Sequence, residues 1–341
     1  MVFNQSCDVT PVPPKLFYSN WGRSGAGPRG EGNELTVVVM TAPCCWGVEK
    51  GVDPNQPGWE RVLDEVSGAG YAGLELGPYG FLPPDAGRVS KAFAARGLHI
   101  AAGTIFDNLV DPASRARLLG DTAAICALIT RLPAPERLPG QRFAAPYLTI
   151  MDFGTTDRDF DAGHPSRARR LTDDEWTGMV DNIRAIATLA RDTYGVRAVI
   201  HPHAGGFIEF EDEIARIVAD IPADLAGLCI DTGHTFYARM DPVKTLGRYA
   251  DRVDYIHFKD IDAAVFDRVM GERIRFFEAC AQGVMCPIGD GCIDYPAIRR
   301  LLDEIGYAGL VTVEQERDPR NANGTLHDVR RSRDYLKSAG F

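Results

Sequence analysis

The sequence predicts an α/β chain folded as a (β/α)8 TIM barrel. Between Leu35 and the C-terminus, short apolar runs alternate with helical patterns eight times. Strands that alternate with helices build parallel sheets, and eight such units close into a barrel. Four of the runs, in the second half of the chain, each lead directly into His, Asp or Glu. No G-x-G-x-x-G follows the first run, which argues against an open, doubly wound sheet.

The elements read in order as follows. Residues 1–34 are rich in Pro, Gly, Ser and Asn and read as a tail that is ordered only where it docks. Residues 35–341 read as a single barrel domain. Its first strand is Leu35 to Met40, and Trp59 to Ala69 has helical spacing at Val62, Leu63 and Val66. Gly73 to Leu76 is the second strand. Asp85 to Arg96 is a helix stopped by Gly97, Leu98 to Ala102 the third strand, and Pro112 to Thr130 a long helix. Tyr147 to Met151 is the fourth strand, followed by a polar loop over 154–170. Thr172 and Glu175 form a capping box for a helix that runs to Tyr194 and Gly195. The fifth strand ends at His201, and a helix follows from about Phe210. The sixth ends at Asp231, after which Asp241-Pro242 opens a helix. The seventh ends at His257. An extra amphipathic stretch, Ala263 to Cys280, precedes the Tyr295 to Ile305 helix, the last strand at Leu310 to Val313 and a final helix from Leu326 to Ser338.

The totals exclude several classes. Acidic residues outnumber basic ones 47 to 37, for a net charge of −10, so a basic nucleic-acid footprint is missing. The eight cysteines form no C-x-x-C pair, which fits free thiols and a reducing, cytoplasmic compartment. No apolar run reaches membrane-spanning length, and the N-terminus has no charged-then-apolar signal pattern.

The site reading rests on the strand ends. In α/β barrels the functional residues lie at the carboxyl ends of the strands. The runs ending at His201-Pro202-His203, Asp231-Thr232-Gly233-His234, His257-Phe258-Lys259-Asp260 and Glu314-Gln315-Glu316 therefore converge on one rim. A mixed His/carboxylate set suits a divalent ion, with Mn, Co, Mg and Zn all compatible. Side chains alternate along a strand, so His201 and His203 share a face, as do His257 and Lys259. Either histidine of the first pair can ligate. His203, nearer the rim, is taken as the ligand with Asp231, His257 and Glu314. His201 is then a substrate contact. His234 and Lys259 are candidates both for substrate contact and for proton transfer, and Glu209, Glu314 and His203 are candidate bases. Glu75, at the end of the second strand, reads as a lining residue. Trp46, Tyr79 and Phe81 read as apolar walls for a ring.

These same residues carry a resemblance. His201-Pro202-His203-Ala204-Gly205-Gly206-Phe207-Ile208-Glu209 and the three later strand ends resemble the xylose-isomerase-like sugar isomerase/epimerase superfamily. Thr41-Ala42-Pro43, Trp46-Gly47-Val48 and Glu75-Leu76-Gly77-Pro78-Tyr79-Gly80 resemble its inosose (2-keto-myo-inositol) dehydratases. The resemblance implies a TIM barrel, a divalent metal (Mn2+ or Co2+ first) and a keto-cyclitol or sugar substrate, and it is compatible with a homo-oligomer. The superfamily's metal set is Glu, Asp, His and Glu from four strands. By position the last three fall on Asp231, His257 and Glu314, and the first on His203. A histidine there disfavours the two-carboxylate proton exchange of an epimerase and favours elimination of water. The alternatives are an isomerase or ketose 3-epimerase, or a lyase acting on keto-glycosides. Cys44-Cys45 stands where the dehydratases usually carry Asp-Ser, which points to a difference in substrate.

Overall fold

In the computed structural model, residues 37–317 and 324–341 are described. The 1–34 tail expected above lies outside them. The strands are β1 Val37–Thr41, β2 Gly73–Leu74, β3 His99–Ile100, β4 Ala102–Asp107, β5 Tyr147–Asp152, β6 Arg197–Ile200, β7 Ala226–Asp231, β8 Val253–Phe258, β9 Asp260–Ile261, β10 Met285–Cys286 and β11 Gly309–Val313. The main sheet is parallel, in the order β3-β2-β1-β11-β8-β7-β6-β5-β4. Its two edges meet. β3 and β4 are one strand interrupted at Ala101, whose N–H donates to Leu74 O at 2.9 Å and whose carbonyl accepts from Tyr147 N at 3.0 Å. The sheet is therefore a closed barrel with the β-α alternation expected from sequence. Closure also removes the exposed edges that an open sheet must otherwise cover.

Several local signals act as the sequence indicates. Thr172 and Glu175 form the capping box of the Asp173–Tyr194 helix, and Gly195 ends that helix at φ 67°. Asp85 and Asp241 are side-chain caps. Three features go beyond the expectations. Thr156–Phe160 is a short helix inside the segment read as a loop, and Thr232–Tyr237 is a helix directly after β7. The extra stretch is two helices, Ala263–Glu272 and Phe276–Ala281, tied down by a small antiparallel β9–β10 pair.

The interior sorts by the two-residue period of the strands. Met40, Tyr147, Val199, Cys229, Tyr255 and Leu310 pack inside the barrel. The residues two further along β6, β7 and β8 are His201, Asp231 and His257, and Glu314 holds the corresponding place after Thr312 of β11. Each points into the same lumen one layer nearer the carboxyl rim. The larger apolar cluster packs the strands against the surrounding helices. Among the described residues, seven cysteines are free thiols, and no helix is long and apolar enough to cross a membrane.

Candidate active site and metal centre

The layer above the barrel core brings His201, Asp231, His257 and Glu314 together, with one donor atom of each within 4.8 Å of the others. The structure groups His201, and not the expected His203, with Asp231, His257 and Glu314. β6 ends at Ile200, and His201 still donates its N–H to Ile150 O across the sheet at 2.9 Å. Its side chain is therefore held at the strand's inward position, level with Asp231. His203 lies beyond the strand, in a turn closed by its own N–H on Ile208 O at 2.9 Å. Its ring belongs to the next layer up, grouped with His234 and Glu316. His201, read as a substrate contact, takes the ligand position.

The four residues fit a divalent cation. His201 Nε2 stands 3.6 Å from Asp231 Oδ2, and His257 Nδ1 stands 2.9 Å from Glu314 Oε2. Neither approach has hydrogen-bond geometry, so both nitrogens of His201 and Nδ1 of His257 are buried without a partner. Buried nitrogens left unpaired need an explanation. Lone pairs aimed at a shared point beside two carboxylates supply one, because two imidazoles and two carboxylate oxygens are a familiar set for such ions.

Each ligand is held from behind. Asp231 caps the Thr232–Tyr237 helix by accepting the His234 N–H on Oδ1 at 2.9 Å. That leaves Oδ2 for the Lys259 ammonium, 2.8 Å away. The helix comes close to β8 because position 233 is glycine: a Cβ there would meet Lys259 Cβ at 2.5 Å. Glu75 is not a substrate wall. It is buried beneath His257 and accepts from Nε2 at 2.8 Å, with the Tyr255 hydroxyl on the same oxygen at 2.7 Å. A carboxylate on the far nitrogen of a ligating histidine fixes its orientation and tautomer. Glu75→Gln is accordingly expected to weaken metal affinity about 10–100-fold while the fold persists, as measured by titration of metal-stripped protein. Unchanged affinity would remove Glu75 from this role.

Lys259 is the centre of charge. Its ammonium, 1 % exposed, contacts Asp231, Glu314 and, at 3.2 Å, Glu316. Burial alone pushes the ammonium down, but Asp231, Glu314 and Glu316 hold it well above its ordinary range. Burial likewise raises Asp231, yet Lys259 and His201 bring it down to about 2. Glu316 is pushed up by burial, pulled back by Lys259 and pushed up again by Glu314, to about 7. Its Oε2 is buried and unpartnered. Glu316 was not among the expected site residues. The signal was present, because Glu314 and Glu316 share parity on the continuation of the last strand.

Three other expected site residues, Trp46, Phe81 and Glu209, lie apart from this cluster with other partners. Trp46 is fully buried, and its indole N–H donates to Glu65 at 2.7 Å, so it packs against a helix and not against a ligand. Phe81 is likewise in the core. Glu209 is enclosed. It accepts from Gly163 N at 2.7 Å and Gly205 N at 3.0 Å and pairs with buried Arg158 at 3.1 Å. Burial raises its carboxyl while Arg158 and the two N–H groups pull it back. It pins the loop after β6. Tyr79 stays 45 % exposed in the loop after β2, outside the histidine cluster. The phenylalanine rings near His203 are Phe106, Phe276 and Phe277, with centroids 5.1, 5.4 and 6.3 Å from its own. They come from β4 and from the extra helical segment.

A closed parallel barrel with a His/Asp/His/Glu ring at its carboxyl rim presents a candidate site for a divalent metal. The chain belongs to the xylose isomerase-like TIM barrel family, whose profile matches residues 63–339. Within it the chain is similar to inosose dehydratases. It is 40 % identical over 155 residues to that of Geobacillus kaustophilus (strain HTA426), a match spanning 46 % of this chain and 50 % of that protein. It is 28 % identical over 320 residues to that of Clostridium beijerinckii (strain ATCC 51743 / NCIMB 8052), spanning 91 % and 99 %. Its fold is that of the IOLI protein, solved with a binding zinc atom, at a TM-score of 0.65 and 14 % identity over 89 % of this chain and 99 % of that one.

Proposed function

We propose that this chain is a divalent-metal-dependent hydro-lyase that removes water from a polyhydroxylated cyclic ketone of the 2-keto-myo-inositol type. The observation that carries the reading is the His201/Asp231/His257/Glu314 ring with Lys259, His234 and Glu316 in the layer above it. Similarity to inosose dehydratases over nearly the whole chain supports the substrate class. His201, Asp231, His257 and Glu314 would hold the ion, which would supply Lewis acidity beside the ketone and so make the adjacent C–H more acidic. Mn2+ and Co2+ are the ions we favour, and Zn2+ and Mg2+ suit the same donors.

The chain's own residues supply the rest. Glu316, with a buried and unpartnered oxygen, takes the proton from the carbon next to the ketone. Lys259 donates to the oxygen on which negative charge then builds. A buried ammonium stabilises that charge more than water does. The hydroxyl on the next carbon leaves with a proton, and the carboxyl that received one is the nearest source. The balance is one water lost and no net proton gained. Glu314, held by Lys259 and beside His257, is a ligand in this scheme and not the base.

The test is a mass spectrum of 2-keto-myo-inositol incubated with metal-stripped protein, with and without added Mn2+ or Co2+. The expected result is a metal-dependent loss of one water. The same sample in deuterated water separates the rival isomerase or epimerase, which leaves the mass unchanged in ordinary water but incorporates deuterium. Neither change would reject the substrate class.

A further inference from the structure

Above the ligand ring lies a pair of histidines that the scheme so far does not explain. His203 and His234 have ring centroids 4.0 Å apart, at 41°. One backbone residue holds both. The carbonyl of Ala204 lies 2.8 Å from His203 Nδ1, and the N–H of Ala204 donates to His234 Nδ1 at 3.3 Å. A carbonyl only accepts, so Nδ1 of His203 carries the hydrogen, and in the neutral ring Nε2 then carries the lone pair. An N–H only donates, so Nδ1 of His234 carries the lone pair. His234 then cannot be an imidazolium, and as a neutral ring it has its hydrogen on Nε2. The two rings are opposite tautomers, written by the two ends of one residue.

His234 Nε2 is buried with no hydrogen-bond partner, 3.9 Å from Glu316 Oε1. A buried N–H left unpaired is costly and calls for a partner. Phe106 and Phe277, 40 % and 42 % exposed, lie 5.1 and 6.3 Å from the His203 ring, and the buried Phe276 ring lies 5.4 Å from His203 and 5.3 Å from His234.

We infer that His203 and His234 are a matched acceptor and donor for one substrate hydroxyl, with Ala204 as the residue that sets both tautomers. The hydroxyl donates its hydrogen to His203 Nε2 and accepts from His234 Nε2–H, so its remaining lone pair and its C–O bond are fixed in direction. This rests on the hydro-lyase reading for the identity of the substrate, and it changes the role of His234. A neutral imidazole that gave up its Nε2 proton would become an imidazolate. His234 is therefore a hydrogen-bond donor to the hydroxyl and not the acid that expels it. The arrangement also excludes a second metal ion on the His203/His234/Glu316 group, because His234 presents an N–H and not a lone pair.

The test reads the tautomers directly. Two-bond 1H–15N correlation spectra of the 15N-labelled full chain loaded with zinc, which is diamagnetic, separate Nδ1–H from Nε2–H rings. His203→Gln and His234→Gln variants assign the signals among the seven histidines. We expect Nδ1–H for His203 and Nε2–H for His234, with one zinc per chain. An Nδ1–H or doubly protonated His234, or two zinc ions per chain with one lost in His234→Gln, would overturn the inference. On substrate, His234→Ala should raise KM about tenfold or more, as for a lost buried hydrogen bond. His234→Gln, whose amide N–H replaces Nε2–H, should recover most of that loss. Equal KM values for Ala and Gln would also overturn it. The spectra need no turnover, so a protein with the expected tautomers but no dehydration of the ketone would reject the proposed function and leave the histidine pair standing.

Discussion

Asp231→Asn is expected to give a folded protein that neither retains the metal nor turns over. The asparagine oxygen can still accept the His234 N–H that now falls on Oδ1 at 2.9 Å, so the cap of the Thr232–Tyr237 helix survives. What disappears is the charge on Oδ2, the oxygen that faces His201, His257 and Lys259. Lewis acidity contributes several kcal/mol of transition-state stabilisation, and each 1.36 kcal/mol is tenfold in rate. A fall in kcat/KM of about 10^3-fold or more follows. Metal content measured on the purified variant should fall with it, while the far-ultraviolet spectrum stays that of the parent. Full metal content together with lost activity would move Asp231 from the ligand ring to proton chemistry. Parental activity would remove the ring from the mechanism altogether.

The barrel was legible because its two periods are written plainly. Four of the strands lead directly into His, Asp or Glu, and Thr172-Asp173-Asp174-Glu175 and Asp241-Pro242 mark helix starts without help from tertiary contacts. The metal site was legible only as far as parity carries. Parity puts His201 and His203 on one side, but it does not say where the strand stops. That is decided by the last cross-strand bond, His201 N to Ile150 O, which leaves His203 beyond the strand. Glu75 and Glu209 show the other limit. Both are acidic residues near strand ends, and both prove to be fully committed inside the protein, one to His257 and Tyr255, the other to Arg158 and two backbone N–H groups. Nothing local separates them from Glu316, whose Oε2 is unpartnered, because the partners lie tens of residues away in the chain. The aromatic rim was misplaced for the same reason. Trp46 has its N–H answered by Glu65 and is therefore free to be buried, whereas Phe106 and Phe277 reach the mouth from segments that showed no motif.

Lys259→Met is expected to separate stability from metal affinity. The ammonium is the cation shared by Asp231, Glu314 and Glu316 inside the barrel mouth. Breaking a buried ion pair by removing one partner costs about 3–5 kcal/mol, because the other charge is left uncompensated. Here three carboxylates are left, so the metal-stripped variant should unfold at a clearly lower temperature than the metal-stripped parent. A divalent ion restores positive charge to Asp231 and Glu314, two of the same three carboxylates. Added Mn2+ or Zn2+ should therefore raise the variant's midpoint further than the parent's, following the logarithm of the ratio of free metal to its dissociation constant. Activity should not return with the midpoint, since Lys259 is also the donor to the oxygen on which charge builds; a loss of about 10^2–10^3-fold is the size seen when one such donor is removed. Thermal scans of parent and variant across a metal titration, with kcat measured on the same samples, read all three quantities. If Lys259→Met matched the parent without metal, the three contacts would be incidental and the lysine a bystander. If metal restored activity as well as stability, its role would be to balance charge and nothing more.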